Sequence, residues 1–533
     1  MPWRPDPHRT PPRRTAPRLR AAAALSAVLA LAATACGGGS DDKSAPAASG
    51  AAAKTGGSLT MLALADSRAL DPFTASGVAV ADEPRLSALY DPLVYLDDAD
   101  GKVKPHLAEG LTTADNGATW TLKLRPGVKF SDGTDFNADA VKLTWEMHTK
   151  PENRSTQASY ASGLTLRVVD PLTLAITPKA PNPNFDRLVA TRLTYIEAPS
   201  ALAKGLTEAG AKPVGAGPFI LQSWTRGSEQ VFVRNPDYWQ KDKGLPKLDK
   251  LTIKAVQDRE QQYTTVKAGG ADLVASSYPE YLDRAKKELQ VSQLSLIGGQ
   301  HIAFNLRQAP FDDIRARRAI ALALDPAEVP KVLGNGFVPA KNFFDQTSPF
   351  FDPAAAQPAQ NKDEAQKLFD ELAAEGKKVD FTYTISQTGV KVAELMKSRL
   401  EQFRNVSMRI EALDVAAFVA KFNVQRNYQA GQYQSWLPDP EPEMWSLFHS
   451  ASPLNQNGWK NPAADKALDD ARASTDPAVR KQAYAALQQA MVADLPVWVY
   501  AESTVGIIYG KNVSGVQVYN AGSLFMDRVG VGG

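Results

Sequence analysis

The sequence predicts an α/β protein of more than one lobe, on three observations. Its 533 residues exceed what one ordinary core serves, so two or three lobes are expected. From Asn361 onward helical and strand periods alternate, the order of a sheet covered by helices. Between Ala118 and Trp145 a strand period gives way to a helical one. Trp120, Leu122 and Leu124 alternate with Thr121, Lys123 and Arg125, the period of a half-buried strand. Pro126-Gly127 breaks the run, Val128 to Phe130 resumes it, and Ser131-Asp132-Gly133 turns again, which predicts a hairpin. Asn137 then caps a helix with Val141 and Trp145 on one face.

The N-terminus reads as an export signal. Six arginines precede an apolar run from Ala21 to Ala35, too short to span a bilayer comfortably. The first 35 residues carry +5 of a total net charge of +2, so the rest of the chain is −3 and nothing argues for nucleic acid. Ala33-Thr34-Ala35-Cys36 resembles the lipobox of bacterial lipoproteins, with Ala33 where Leu is usual. That resemblance implies cleavage before Cys36, lipidation of its thiol and a stable membrane anchor. Arg13-Arg14 lacks the apolar follow-up of a twin-arginine signal. Cys36 is the single cysteine, so there is no internal disulfide and no cysteine metal cluster. Residues 37–57 are Gly, Ala, Ser and Asp with almost nothing bulky to bury, a flexible tether.

Leu59, Met61 and Ala63 mark a first strand, followed by a polar loop with Asp66, Ser67 and Arg68. Asp97, Asp98 and Asp100 lack the spacing and terminal Glu of a calcium loop and read as a solvated turn. Gly215-Ala216-Gly217 is followed by Pro218, which removes a donor that a nucleotide loop needs. His301 to Asn305 forms a strand, and Asp312 or Asp313 opens a helix with Arg315, Arg317 and Arg318, a solvated or internally paired basic cluster. Phe381, Tyr383 and Ile385, then Val406, Met408 and Ile410, mark strands between amphipathic helices. Tyr428 to Trp436 is a further strand, with Leu437-Pro438-Asp439-Pro440-Glu441-Pro442 beyond its end, where open α/β sheets bind ligands. Asn461-Pro462 and Asp476-Pro477 open two helices, and Leu495 to Tyr500 is a late strand.

Several of these segments together resemble the family 5 extracellular solute-binding proteins, the ligand receptors of ABC importers. They are the run from Ala118 to Trp145, Tyr90-Asp91-Pro92-Leu93-Val94, Pro105-His106-Leu107-Ala108, Val214 to Phe219, Asn235-Pro236-Asp237-Tyr238-Trp239, Asp272, and the stretch from Phe304 to Asp325. The resemblance covers most of residues 58–510. It implies a two-lobed fold of the type II periplasmic-binding-protein kind, with a subdomain inserted in the first lobe. The expected plan is a signal at 1–35, a tether at 36–57, the first lobe at 58–85, 211–302 and 501–533, the inserted subdomain at 86–210, and the second lobe at 303–500. It also makes Phe304-Asn305 a candidate hinge.

Peptide-binding members of that family carry a Trp followed three residues later by an Asp that pairs with the peptide ammonium. Trp436 and Asp439 have that spacing, but the segment is one residue short, and Asp439-Pro440 aligns equally with a later acidic-proline pair. The expected ligand residues are Asp439, Trp436, Tyr433, Asn305, Ser67, Arg68 and Trp459, with Tyr428 a further flat face. The expected ligand is a short peptide held through its ammonium. A metal chelate, a sugar and an opine stay open. The expected partners are ABC permease subunits with their cytoplasmic ATPases, reached by a monomeric receptor anchored on the outer face of the cytoplasmic membrane. A secreted hydrolase is the rival class, but there is no G-x-S-x-G, no H-E-x-x-H and no P-loop, and the five histidines are scattered. No cofactor, no metal centre and no catalytic residue are expected.

Overall fold

Leu59, Met61 and Ala63 face inward on the first strand, as their alternation predicts. The computed structural model describes residues 55–75, 80–435 and 437–532. The expected export signal, Cys36, most of the expected tether and Trp436 lie outside the described residues. After β1 (Ser58–Ala63) comes a small antiparallel pair, β2 (Val94–Leu96) and β3 (Val103–Pro105). Then β4 (Ala108–Thr112), β5 (Trp120–Leu124), β6 (Thr165–Asp170) and β7 (Thr173–Thr177) build a separate four-stranded sheet in the order β4-β5-β7-β6. The main sheet continues with β8 (Phe219–Thr225), β9 (Glu229–Arg234), β10 (Lys250–Ala255), β11 (Leu273–Ser276) and β12 (Gln290–Phe304). It is completed by β13 (Val379–Ser386), β14 (Val406–Leu413), β15 (Ala430–Gln434) and β16 (Val497–Tyr509). Its ten strands run β14-β13-β15-β12-β16-β11-β1-β10-β9-β8.

Each part has its own apolar core. Leu59, Met61, Leu251, Ile253 and Leu273 pack together in one half of the large sheet, and Leu524, Met526 and Val529 return to join them. Phe304, Phe311, Phe381 and Tyr383 fill the other half, beside a second cluster around Tyr428, Trp459 and Tyr484. Trp120, Leu122, Leu124, Val141 and Trp145 belong to a third core built from residues 93–216. Each such side chain contributes about 1.5–3 kcal/mol by leaving water.

Around β5 the sequence reading is half corrected. The helix Ala138–His148 is there, and Asn137 caps it by accepting from the Ala140 N–H at 3.0 Å. The hairpin is not. Both edges of β5 are taken, by β4 and β7, so Val128 to Phe130 does not pair with it and bridges Asp135 through Lys129 instead. The segment turns back instead, with the Phe130 N–H donating to the Thr134 carbonyl at 2.9 Å and Phe130 itself buried. The basic cluster is internally paired. Arg315 binds Asp313 and Glu375, and buried Arg317 donates to the carbonyls of Asp494 and Phe311.

The two halves of the sheet are joined by β12 and β16, which run antiparallel through both. Gln290–Leu296 pairs with Ser503–Tyr509, the register shifts between Leu296 and Gln300, and His301–Ala303 then pairs with Val497–Val499. β11 attaches to the first part of this ribbon and β15 to the second. Gly298 and Gly299 sit at the shift with φ of 104° and 57°, and a Cβ on Gly299 would lie 2.5 Å from the Ala501 carbonyl oxygen. The irregularity between the halves is therefore here, five or six residues before the expected hinge. Phe304 is packed on Phe311, and Asn305 is buried, donating to the carbonyls of Arg426 and Tyr428.

Candidate functional site

Two segments meet across the gap between the halves, the part built from residues 93–216 standing with the first half, to which Asn520 ties it by donating to the Ala190 carbonyl at 2.7 Å. One is the helix Phe185–Arg192, whose Phe185, Leu188 and Val189 sink into the core of residues 93–216. With those positions inward, Asn184, Arg187 and Arg192 are left to face away from that core. The other is the run Leu437–Glu443. Leu437 exchanges both backbone hydrogen bonds with Ile297, at 3.0 and 3.2 Å, and Met444 and Phe448 bury the helix that follows.

Acidic residues at alternate positions of this run each find a guanidinium. Asp439 binds Arg187 at 2.9 Å and Arg480 at 2.5 Å. Glu441 binds Arg472 at 2.8 Å, within its own half. Glu443 binds Arg192 across the gap. Asn184 adds a neutral clasp, its side-chain amide donating to the carbonyls of Arg472 and Ser474, each at 2.9 Å. Burial pushes the Glu443 carboxyl up from its ordinary value, and the Arg192 charge opposes that push. Burial pulls Arg192 down, but Glu443, Tyr160 and Tyr433 together outweigh it and the guanidinium holds its proton more tightly. Each member of the pair thus leans on the other.

Beside it lies a cavity of about 430 Å³, lined from both halves. Thr74, Gln157, Tyr160, Thr191, Arg192 and Asn520 come from one side, and Tyr433, Gln434, Ser435, Leu437, Glu443 and Gln456 from the other. The Arg192 guanidinium lies over the Tyr160 ring, 5.3 Å from its centroid. Tyr433 stacks on Phe422 at an interplanar angle of 13°.

Of the residues expected at a ligand, Tyr433 lines this cavity. Asp439 is not in the lining, and its two oxygens are engaged by Arg187 and Arg480. Trp459 is 1% exposed in an apolar core, its indole N–H donating to Asp494 at 2.8 Å. Asn305 is spent on backbone carbonyls. The Ser67 hydroxyl donates to the Ala69 carbonyl at 2.6 Å, while Arg68 is exposed and outside the lining. Sequence reasoning missed Arg192 and Glu443. Glu443 stood one step past the acidic-proline run, and alternation from Asp439 through Glu441 was the available signal. Arg192 gave none, since its partner is 251 residues away.

Residues 102–458 match the family described as bacterial extracellular solute-binding proteins, family 5. The chain belongs to that family. Among curated proteins, this family 5 chain is 29% identical over 483 residues to the glutathione-binding protein GsiB of Salmonella typhimurium, covering 84% of this chain and 90% of that protein. GsiB of Escherichia coli K12 is 28% identical over the same length. Among solved structures it superimposes on the oligopeptide-binding protein AppA of Bacillus subtilis, in complex with a nonapeptide, with a TM-score of 0.77, 21% identity and coverage of 90% of this chain and 100% of that one. AgaA of A. tumefaciens R10, in complex with agropinic acid, gives a TM-score of 0.78 at 22% identity, covering 90% of this chain and 99% of that one. These likenesses establish the fold, the mixed α/β type II arrangement of periplasmic binding proteins. Among the described residues no helix is long and apolar enough to cross a membrane.

Proposed function

We propose that this family 5 receptor captures a short peptide between the two halves of its sheet and hands it to the permease of an ABC importer. The observation that carries this reading is the cavity walled from both halves and bridged by Arg192 and Glu443. A solute there touches both walls at once, so it favours the closed arrangement over an open one, and capture follows from that difference in affinity. The Gly298–Gly299 break in the β12–β16 ribbon is the pivot in this reading. The named ligands of its relatives, glutathione and oligopeptides, favour a peptide over a sugar or metal chelate. The reading includes processing and lipidation at Cys36, a tether lifting a monomeric body above the membrane, and no catalytic step.

Native mass spectrometry of the chain purified from cells without refolding tests the ligand. Short peptides released on denaturation are the expected result. A single non-peptide mass, such as an opine or a metal chelate, overturns the peptide assignment. The intact mass of the membrane-extracted protein tests the anchor, which predicts a chain beginning at Cys36 with acyl groups attached.

A further inference from the structure

The strands of the first half bring one set of ends to a common face. β1, β10 and β11 begin there and β9 and β16 end there, with Ser58 opposite Lys250, Lys250 opposite Val233, Met61 opposite Leu273 and Leu273 opposite Tyr509. β12 begins there too, with Gln290 opposite Tyr509. Further along the same ribbon Leu296 and Val505 line the cleft cavity. From Gln290 to Leu296 the strand covers about 20 Å, so the face and the cleft stand well apart on the same strands.

Lysines collect on this face. Lys243 and Lys247 lie between β9 and β10, Lys250 opens β10, Lys287 precedes β12 and Lys511 follows β16. Lys247 is half-buried and the other four are exposed. Among the described residues none of the five forms an ion pair. Their neighbours are matched: Lys241 with Asp237, Lys267 with Glu288, Lys286 with Asp283 and Arg234 with Asp249. The carboxylates left over are Asp242 and Asp272, and Asp272 already accepts from the Thr60 N–H at 2.7 Å. Five lysines against two carboxylates leave an excess of three positive charges, on a chain that is −3 beyond residue 35.

The chain enters the body at this same face. The Gly56 N–H donates to the Lys247 carbonyl at 2.7 Å and the Gly57 N–H to Asp249 Oδ2 at 3.0 Å, so the segment leading back to Cys36 departs beside the lysines. A tether of that length spans roughly 25 Å on average, and an anchored Cys36 holds the face within that reach of the bilayer. We propose that the lysine face rests on anionic lipid headgroups, so that the empty receptor stands on the membrane with its cleft turned to the solution it samples. This rests on the anchored-receptor reading and adds an orientation to it. A lysine ammonium is a compact point charge on a flexible stem and meets a lipid phosphate without a fixed geometry. The exposed large apolar side chains among the described residues, such as Val338 and Val424, lie elsewhere, so the body lies on the headgroups and does not insert. Each lysine brought to an anionic surface favours the bound state about fivefold. The tether raises the local concentration enough for so small a preference to act.

The test is acetylation of lysines by a membrane-impermeant ester, read residue by residue by mass spectrometry. The membrane-extracted full chain is inserted from outside into vesicles of phosphatidylcholine, alone or mixed equally with phosphatidylglycerol. On the anionic vesicles Lys243, Lys250, Lys287 and Lys511 are expected to react about fivefold more slowly, or slower still. Lys367 and Lys466, exposed in the second half, are expected to react as they do on neutral vesicles. High salt should restore the rate. The variant K243E/K250E, altered at exposed side chains, is expected to free Lys287 and Lys511 again. Equal rates on the two kinds of vesicle, or slowing that extends to Lys367 and Lys466, overturns the docking face and leaves the anchored receptor standing. A chain that floats with neither kind of vesicle overturns the anchor, and the docking face with it.

Discussion

Asp439 and Glu443 stand four residues apart on one segment. Both are buried, and both reach an arginine of the opposite half. Only Glu443 borders the cavity. Asp439 has a second guanidinium, Arg480, from its own half, so it stays paired if the halves part. Among the described residues Arg192 is the cation that the Glu443 carboxylate contacts, and nearby Asp439 adds repulsion. A carboxylate with a partner at home is framework. One whose partner departs when the cleft opens has an interaction to exchange, and that is what a binding site requires.

The largest expected effect tests the framework side. D439N leaves Arg187 and Arg480 without their shared counter-charge and is expected to cost about 3–5 kcal/mol in urea unfolding. The affinity of the folded, ligand-stripped variant for short peptides should be unchanged. A drop of about tenfold or more would return Asp439 to the ligand and break the comparison.

A third buried carboxylate sharpens it, because among the described residues no cation pairs with it. Burial pushes Glu83 up to about 7, while hydrogen bonds from the hydroxyls of Tyr195 and Ser523 oppose the rise. Its folded value lies above the ordinary 4.5, so its stabilising contribution is full below that pH and is lost as pH rises through 7. The loss is about 3 kcal/mol. The stability of E83Q relative to the unaltered chain should therefore climb between pH 4.5 and pH 7. Thermal melts across that range give the difference, and a flat one would mean that Glu83 is charged in the fold.

Smaller effects separate the two arginines of Asp439. R187Q removes the cross-gap contact and leaves Arg480 in place, so about 1–2 kcal/mol is expected. Small-angle scattering of the ligand-free chain should then show a more open average shape. N184A breaks the neutral clasp to Arg472 and Ser474 and should cost about 1 kcal/mol or less.

Local features were legible where the cause is local. The alternation through Trp120, Leu122 and Leu124 gave β5, and Asn137, Asp313, Asn461 and Asp476 each cap the helix expected of them. Val128 to Phe130 misled, because a strand period does not say whether a partner edge is free. Trp459 misled because a flat apolar face suits a core as well as a cleft. The candidate site was the least legible part. Tyr433 stood at the right strand end, but the Arg192–Glu443 pair joins positions 251 apart. Spacing within one segment could also not reveal that Arg187 and Arg480 already occupy Asp439.

β16 lies between β11 and β12, yet it is the last strand of the large sheet to be synthesised. Until it arrives, β11 and β12 each present a bare row of backbone donors and acceptors, the kind of edge that recruits other chains. At ordinary rates of synthesis the interval from Phe304 to Val497 lasts on the order of 10–40 s. Over that time the nascent chain is two unfinished sheets in need of a holding factor. A chain terminated before Val497 never escapes that condition. It lacks the ribbon that joins the halves, so a stop codon anywhere ahead of β16 removes the entire receptor.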